Sequence, residues 1–264
     1  VIHFAVAPTR AAGVNAAEKR LARDMLAVQA YVLSEAEQAS KRRDVTWRKP
    51  RMPKALARRT QETVLTLLRL GVRDAREEMQ EASRRPFVAF AEEPVLEADI
   101  AAYRRLASVL AEQMADEQYD RLKEILVSGL RSGMTDREIG RELREADLLQ
   151  SGAHAKTWAR TETTRYYTIG RATEIEAAGD AVWGYEYVVI EDTRTTTICQ
   201  ALVGKRVPKD EMTSYPPFHY NCRTTIMAVM AQWVTDEDPA PDGTLLDGPV
   251  SPAEGFGQPL PLAA

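Results

Sequence analysis

Apolar residues recur at helical spacing through most of the first 180 positions. Leu21, Met25, Val28 and Val32 form one such stripe, and Val64, Leu68, Gly71, Ala75 and Met79 form a second. Ile100, Tyr103, Leu106, Leu110 and Met114 form a third, continued by Leu122, Ile125 and Leu126. Apolar positions three and four apart fall on one face of a helix, so each stripe predicts a long helix with one narrow face to bury. Breaks separate them. Thr46 to Pro53 holds two prolines, which remove amide donors and fix φ, and Arg85 to Pro94 is a second interruption. Gly133 closes a helix. Thr135-Asp136-Arg137-Glu138 then reads as a capping box that starts the next, with Ile139 and Leu143 on its inner face. A further helix is expected from about Ala155 to Ala178, ended by Gly179.

Beyond Gly179 the period changes. Trp183 to Ile190 is rich in aromatic and β-branched residues and predicts a strand. Val203 to Pro208 reads as a hairpin or short strand, and Thr224 to Met230 as another strand. From Thr235 the periodicity is lost: the rest of the chain carries six of the 14 prolines, six acids and no Lys or Arg. On composition this tail does not fold by itself, and an extended path over a neighbouring subunit is the expected way to hold it. The fold class is therefore α+β, predominantly α-helical. Long N-terminal helices precede a small α+β module with a short antiparallel sheet and an extended C-terminal tail. Four regions follow: a basic N-terminal arm with a helix (1–60), a helical region (61–150), the α+β module (151–232) and the Pro-rich acidic tail (233–264).

Charge alters this picture at one place. Residues 1–60 carry thirteen Lys and Arg against five Asp and Glu, a net of +8, in a chain whose total is −4. The cations concentrate in Lys41, Arg42, Arg43, Arg48, Lys49 and Arg51, continuing to Arg59 with Asp44 as the single acid. Either this is a solvated face, or it meets DNA phosphates or an acidic protein surface. No uncharged apolar run is long enough to span a membrane, and the N-terminal run Val1-Ile2-His3-Phe4 is too short for a signal peptide, so synthesis in the cytosol is expected. The helix pair 126–146 resembles a helix-turn-helix, but its second helix carries at least as many acids as bases, which favours packing over DNA reading.

The chemistry-bearing residues lie between 159 and 223. His219-x-x-Cys222 sets an imidazole and a thiol on one turn, and Cys199 can approach from the preceding loop. Two thiolates and an imidazole are a zinc-like set that wants a fourth ligand. Asp192 is the nearest, His154 a poorer one. The same two cysteines could equally pair as a disulfide or pack as small apolar residues. Arg160 and Glu162 could be read as a catalytic pair. No glycine-rich cradle or nucleophile accompanies them, so charge-assisted hydrogen bonds tying helix to module are the better account. Asp192 and Arg194 are expected to pin the loop that carries Cys199.

These residues also carry a resemblance. Ala159-Arg160-Thr161-Glu162, Gly170-Arg171, Asp192-x-Arg194-Thr195, Cys199 with Leu202-x-Gly204-Lys205, and Pro216-Pro217-x-His219-x-Asn221-Cys222-Arg223 together resemble the phage Mu F-like minor head protein (head morphogenesis) family. The resemblance implies a portal-associated minor head protein of a tailed bacteriophage, acting in head assembly and DNA packaging or ejection. It implies a virion location, with host cytoplasm during assembly, and portal and other head subunits as partners, with packaged DNA as a further one. No membrane, no small-molecule substrate and no enzymatic activity are expected, and a structural zinc ion is the expected cofactor. The family pattern reads His-Pro-Asn-Cys-Arg-Cys. Here Tyr220 stands in place of the proline and Thr224 in place of the last cysteine, which leaves the ligand set one thiol short. A zinc-dependent hydrolase or toxin using the same cluster, with Glu162 or Glu191 as base, is the alternative.

Overall fold

The computed structural model describes residues 12–83, 115–116, 118–148, 151–235, 244–254 and 256–257. The break expected over 85–94 and the stripe from Ile100 to Met114 lie outside them. Two compact units are present. One comprises 18–65 and 101–159, the other 1–17, 66–100 and 160–264.

The first unit is helical. It contains most of α1 (Ala12–Lys41), the start of α2 (Lys54–Ser83), α3 (118–131), α4 (Asp136–Leu148) and the start of α5 (Ser151–Ala177). The predicted stripe on α1 is its core face: Leu21, Met25, Val28 and Val32 are buried, with Ala36 and Ala39 continuing the line. Leu122 and Leu126 of α3 and Ile139 and Leu143 of α4 are buried in the same way. The capping box forms as read. Thr135 Oγ1 accepts from the Glu138 amide at 3.3 Å, and the Glu138 carboxylate accepts from the Thr135 amide at 2.8 Å. The Pro-containing stretch between α1 and α2 is irregular, and buried Trp47 anchors it, its carbonyl accepting from Tyr119 Oη at 2.9 Å. Gly133 has φ 74°, a conformation that glycine adopts without the Cβ clash other residues meet.

The second unit is the α+β module. Its sheet has the order β3-β1-β2-β4, with β1 Val182–Val188, β2 Lys205–Pro208, β3 Thr225–Met230 and β4 Thr244–Leu245. The short helix α6 (Thr197–Gln200) lies between β1 and β2 in sequence. Central β1 pairs antiparallel with both neighbours, Tyr185 standing opposite Val207 and Ala228, while β4 joins β2 in parallel. Aromatic residues fill the core beneath: Tyr185, Tyr187 and Phe218 are essentially inaccessible, with Ile226, Leu202, Ala172, Ile175 and Met79 around them.

Within this unit α2 and α5 cross at two glycines. A Cβ built on Gly170 would lie 2.1 Å from the Leu68 carbonyl oxygen, and one built on Gly71 would lie 2.2 Å from that of Tyr167. Beside the crossing, Arg171 is fully buried. Its Nε donates to the Ile226 carbonyl at 2.6 Å and its guanidinium pairs with Glu78, tying α5 to β3 and α2. Arg76 and Glu174 form a second bidentate pair between the two helices.

The described part of the tail makes contacts within this module itself. The Leu246 amide donates to the Arg206 carbonyl, those of Ala253 and Gly257 donate to the carbonyls of Phe218 and Pro217, and Phe256 packs edge-on against Tyr220 at 5.0 Å. Backbone groups make most of these attachments, which is why composition did not reveal them.

Candidate metal centre

Cys199 sits on α6. Thr196 caps that helix, its hydroxyl accepting from the Cys199 amide, and so fixes where the thiol points. The second half of the site is the knuckle after the cis Pro216–Pro217 bond. Phe218 plugs into the core, the Cys222 amide donates back to the His219 carbonyl at 3.2 Å, and Asn221 takes a left-handed φ of 60° to close the turn.

Helix α5 holds the knuckle from below. Thr161 Oγ1 accepts from the Asn221 amide at 3.0 Å, Thr164 Oγ1 donates to the Cys222 carbonyl at 2.8 Å, and Arg160 reaches Asn221 Oδ1 at 3.4 Å. Glu162, two residues beyond Arg160, turns instead to Arg165. Thr161, Thr164, Thr168 and Arg171 lie three or four positions apart, and all are buried. This polar face on a buried helix is the part of the site that a search for catalytic or ligand residues passes over. Polar residues at core spacing were its signal.

The result is a convergence of three donors. The ligand atoms of Cys199, His219 and Cys222 all lie within 4.8 Å of one another. Cys199 Sγ is 3.1 Å from His219 Nε2 and 3.9 Å from Cys222 Sγ, and both thiols are free and buried. His219 Nδ1 lies 2.7 Å from the Tyr220 carbonyl, which can only accept. The ring proton therefore belongs on Nδ1, and Nε2 turns its lone pair toward the sulfurs. The Cys222 thiol is pushed down to about 6, first by the hydrogen bond from Cys199 and further by the Phe218 and Thr224 amides, against burial. Cys199 is raised, by donating that bond and by burial.

Asp192, expected as the fourth ligand, is not part of the cluster, and neither is His154. Both Asp192 oxygens accept from Arg223 at 2.6 Å, and the Arg194 amide adds a third bond at 2.8 Å. These donors, Arg223 first, hold its carboxyl far below the usual carboxylate range. A carboxylate so occupied is a loop pin. Arg194, Asp192 and Arg223 fasten the segment ahead of α6 to the residue after Cys222.

The basic residues lie in the helical unit. Lys41, Arg42, Arg48 and Arg51 are exposed and form no salt bridge among the described residues. Arg43 and Lys49 are used internally, Arg43 on the Met134 carbonyl and Lys49 on Asp116. Among the described residues no helix is long and apolar enough to cross a membrane.

Residues 120–227 match the family model for phage Mu protein F like protein. That segment begins in α3 and runs through α4, α5, the knuckle and the first half of β3. No curated protein and no solved structure matches the chain.

Proposed function

We propose, from the phage Mu F-like segment at 120–227, that this protein is a minor head component of a tailed bacteriophage, associated with the portal and acting in head assembly and DNA packaging or ejection. The family match is the observation that carries the reading. Its partners are the portal and other head subunits, its place is the virion after assembly in the host cytoplasm, and its role is structural, not enzymatic. The cations of 41–51 that form no salt bridge suit phosphate contact, Arg42, Arg48 and Arg51 above all. Deleting the reading frame from its phage genome tests this. Particles short of packaged DNA or of infectivity, restored by supplying the chain in trans, are expected. A deletion phage with normal yield and normal DNA content would overturn it.

The proposal includes a zinc ion on Cys199, His219 and Cys222. Two thiolates and an imidazole are ligands zinc favours, and tetrahedral zinc with sulfur at about 2.3 Å separates two sulfurs by roughly 3.8 Å. The observed 3.9 Å matches that edge, whereas a disulfide needs about 2.05 Å. The tautomer of His219 and the proton-poor Cys222 both present the electron pairs a metal takes. Bound there, the ion would cross-link α6 to the knuckle. Elemental analysis of the full chain should find about one zinc, lost in Cys199→Ser and Cys222→Ser. Wild-type protein that is folded and metal-free after zinc supplementation would remove the ion from the account.

A further inference from the structure

We infer that the metal held by Cys199, His219 and Cys222 keeps one coordination position open to a small exchangeable ligand. This rests on the zinc reading above and makes the site, in coordination, three protein donors plus one from solvent. Four observations converge on it. Thr224 stands where a fourth thiol would complete the set, and its hydroxyl lies 3.1 Å from Cys199 Sγ as a donor to that sulfur. Asp192, the nearest carboxylate in sequence, is held by Arg223 and is not among the clustered ligands. The Thr196 hydroxyl is 3.0 Å from His219 Nε2, so two hydroxyls flank the thiol and the imidazole. A cavity of about 10 Å³ adjoins them, lined by Cys199, His219, Thr196 and Thr224, with Arg194 and Arg223 on its wall. That volume is what one water needs, and two hydroxyls are partners enough to orient it. The cavity admits solvent, and Arg194 and Arg223 on its wall are held by Asp192.

Cobalt(II) replaces zinc in such sites and reports its ligands optically. The full chain, stripped by chelation and reloaded with cobalt, is titrated with azide. In wild type the visible cobalt bands should shift saturably with azide. In Thr224→Cys the thiolate-to-cobalt absorption should rise about 1.5-fold, three thiolates against two, and the azide response should vanish. Thr224→Val, isosteric and ligand-free, loses the donor to Cys199 Sγ and should bind cobalt more weakly, yet keep the azide shift once loaded.

A wild-type cobalt spectrum with thiolate absorption but no response to azide would overturn the open position and leave the metal reading standing. A Thr224→Val protein that binds cobalt and gains an azide shift absent from wild type would also overturn it, by making the Thr224 hydroxyl itself the fourth ligand. Failure of folded wild type to take up cobalt at all would instead remove the metal reading on which the inference rests.

Discussion

Replacing Gly170 by alanine adds one methyl group at the crossing of α2 and α5. Its carbon would fall 2.1 Å from the Leu68 carbonyl oxygen and 2.9 Å from the carbonyl carbon. Both are backbone atoms inside α2, so no side chain can swing aside. The helices must separate by about 1 Å, and a radial gap of that size forfeits a quarter to a half of each dispersion contact along the seam. Overpacking of this kind costs roughly 1–3 kcal/mol and more where the obstacle cannot move. Alanine returns about 1 kcal/mol through helix propensity. The expected net loss is about 2 kcal/mol, a Tm lower by roughly 4–8 °C for a unit of this size. Gly71→Ala meets the Tyr167 carbonyl at 2.2 Å and should cost a similar amount. Once one methyl has spread the helices the second finds room. The double variant should therefore fall short of the summed losses by about 1 kcal/mol, beyond the scatter of independent sites. Thermal and urea unfolding of the four proteins reads all of this. A Gly170→Ala protein as stable as wild type, or more stable, would show that propensity wins and that the helices do not touch backbone to backbone.

Reversing Arg42, Arg48 and Arg51 to Glu should weaken binding to duplex DNA and flatten its salt dependence, the slope falling by about 0.9 for each phosphate no longer neutralised. An unchanged slope would mean that these cations meet solvent or protein. The same reversal at Arg43 would also break its bond to the Met134 carbonyl and mix folding with binding. Asp192 has its folded pKa lowered below the ordinary 3.8, chiefly by Arg223, so its stabilising contribution is present above about pH 4 and lost as pH falls through the folded value. Asp192→Asn should lower Tm near neutrality and shallow the acid limb of a Tm–pH profile; an unaltered limb would contradict the pin. Arg171→Met removes the partner of Glu78 and leaves the buried Ile226 carbonyl without its donor, at a cost of about 3 kcal/mol in urea unfolding. A cost below about 1 kcal/mol would mean that packing, not this network, joins α5 to β3.

The elements were legible wherever one chemical rule dominated a short stretch. The α1 stripe, the capping box at Thr135 and Glu138, and the switch to strands after Gly179 each depend on residues within a few positions of one another. The three convergent donors were legible because zinc-type ligands are rare in this chain. What escaped depends on pairs distant in sequence. Gly71 read as one more core position and Gly170 as half of a motif, and nothing in either neighbourhood says that they face each other. Asp192 read both as a loop pin with Arg194 and as a ligand; the ligand reading failed because its other partner, Arg223, lies 31 residues away. The tail read as needing a neighbour because its anchors are backbone carbonyls at Arg206, Pro217 and Phe218, which no side-chain pattern records. Thr161 read as a motif letter and Thr164 as one more helical position, although their burial on the inner face of α5 is what aims the knuckle.

The most direct test of a head protein is where it ends up. Under the proposed reading, heads produced by the encoding phage can be purified by density, and the chain quantified in them by mass spectrometry against the major shell protein. A minor head component should travel with DNA-filled heads at a small fraction of the shell protein's copy number. Recovery of the chain only from the soluble lysate, alongside complete heads that lack it, would contradict that role.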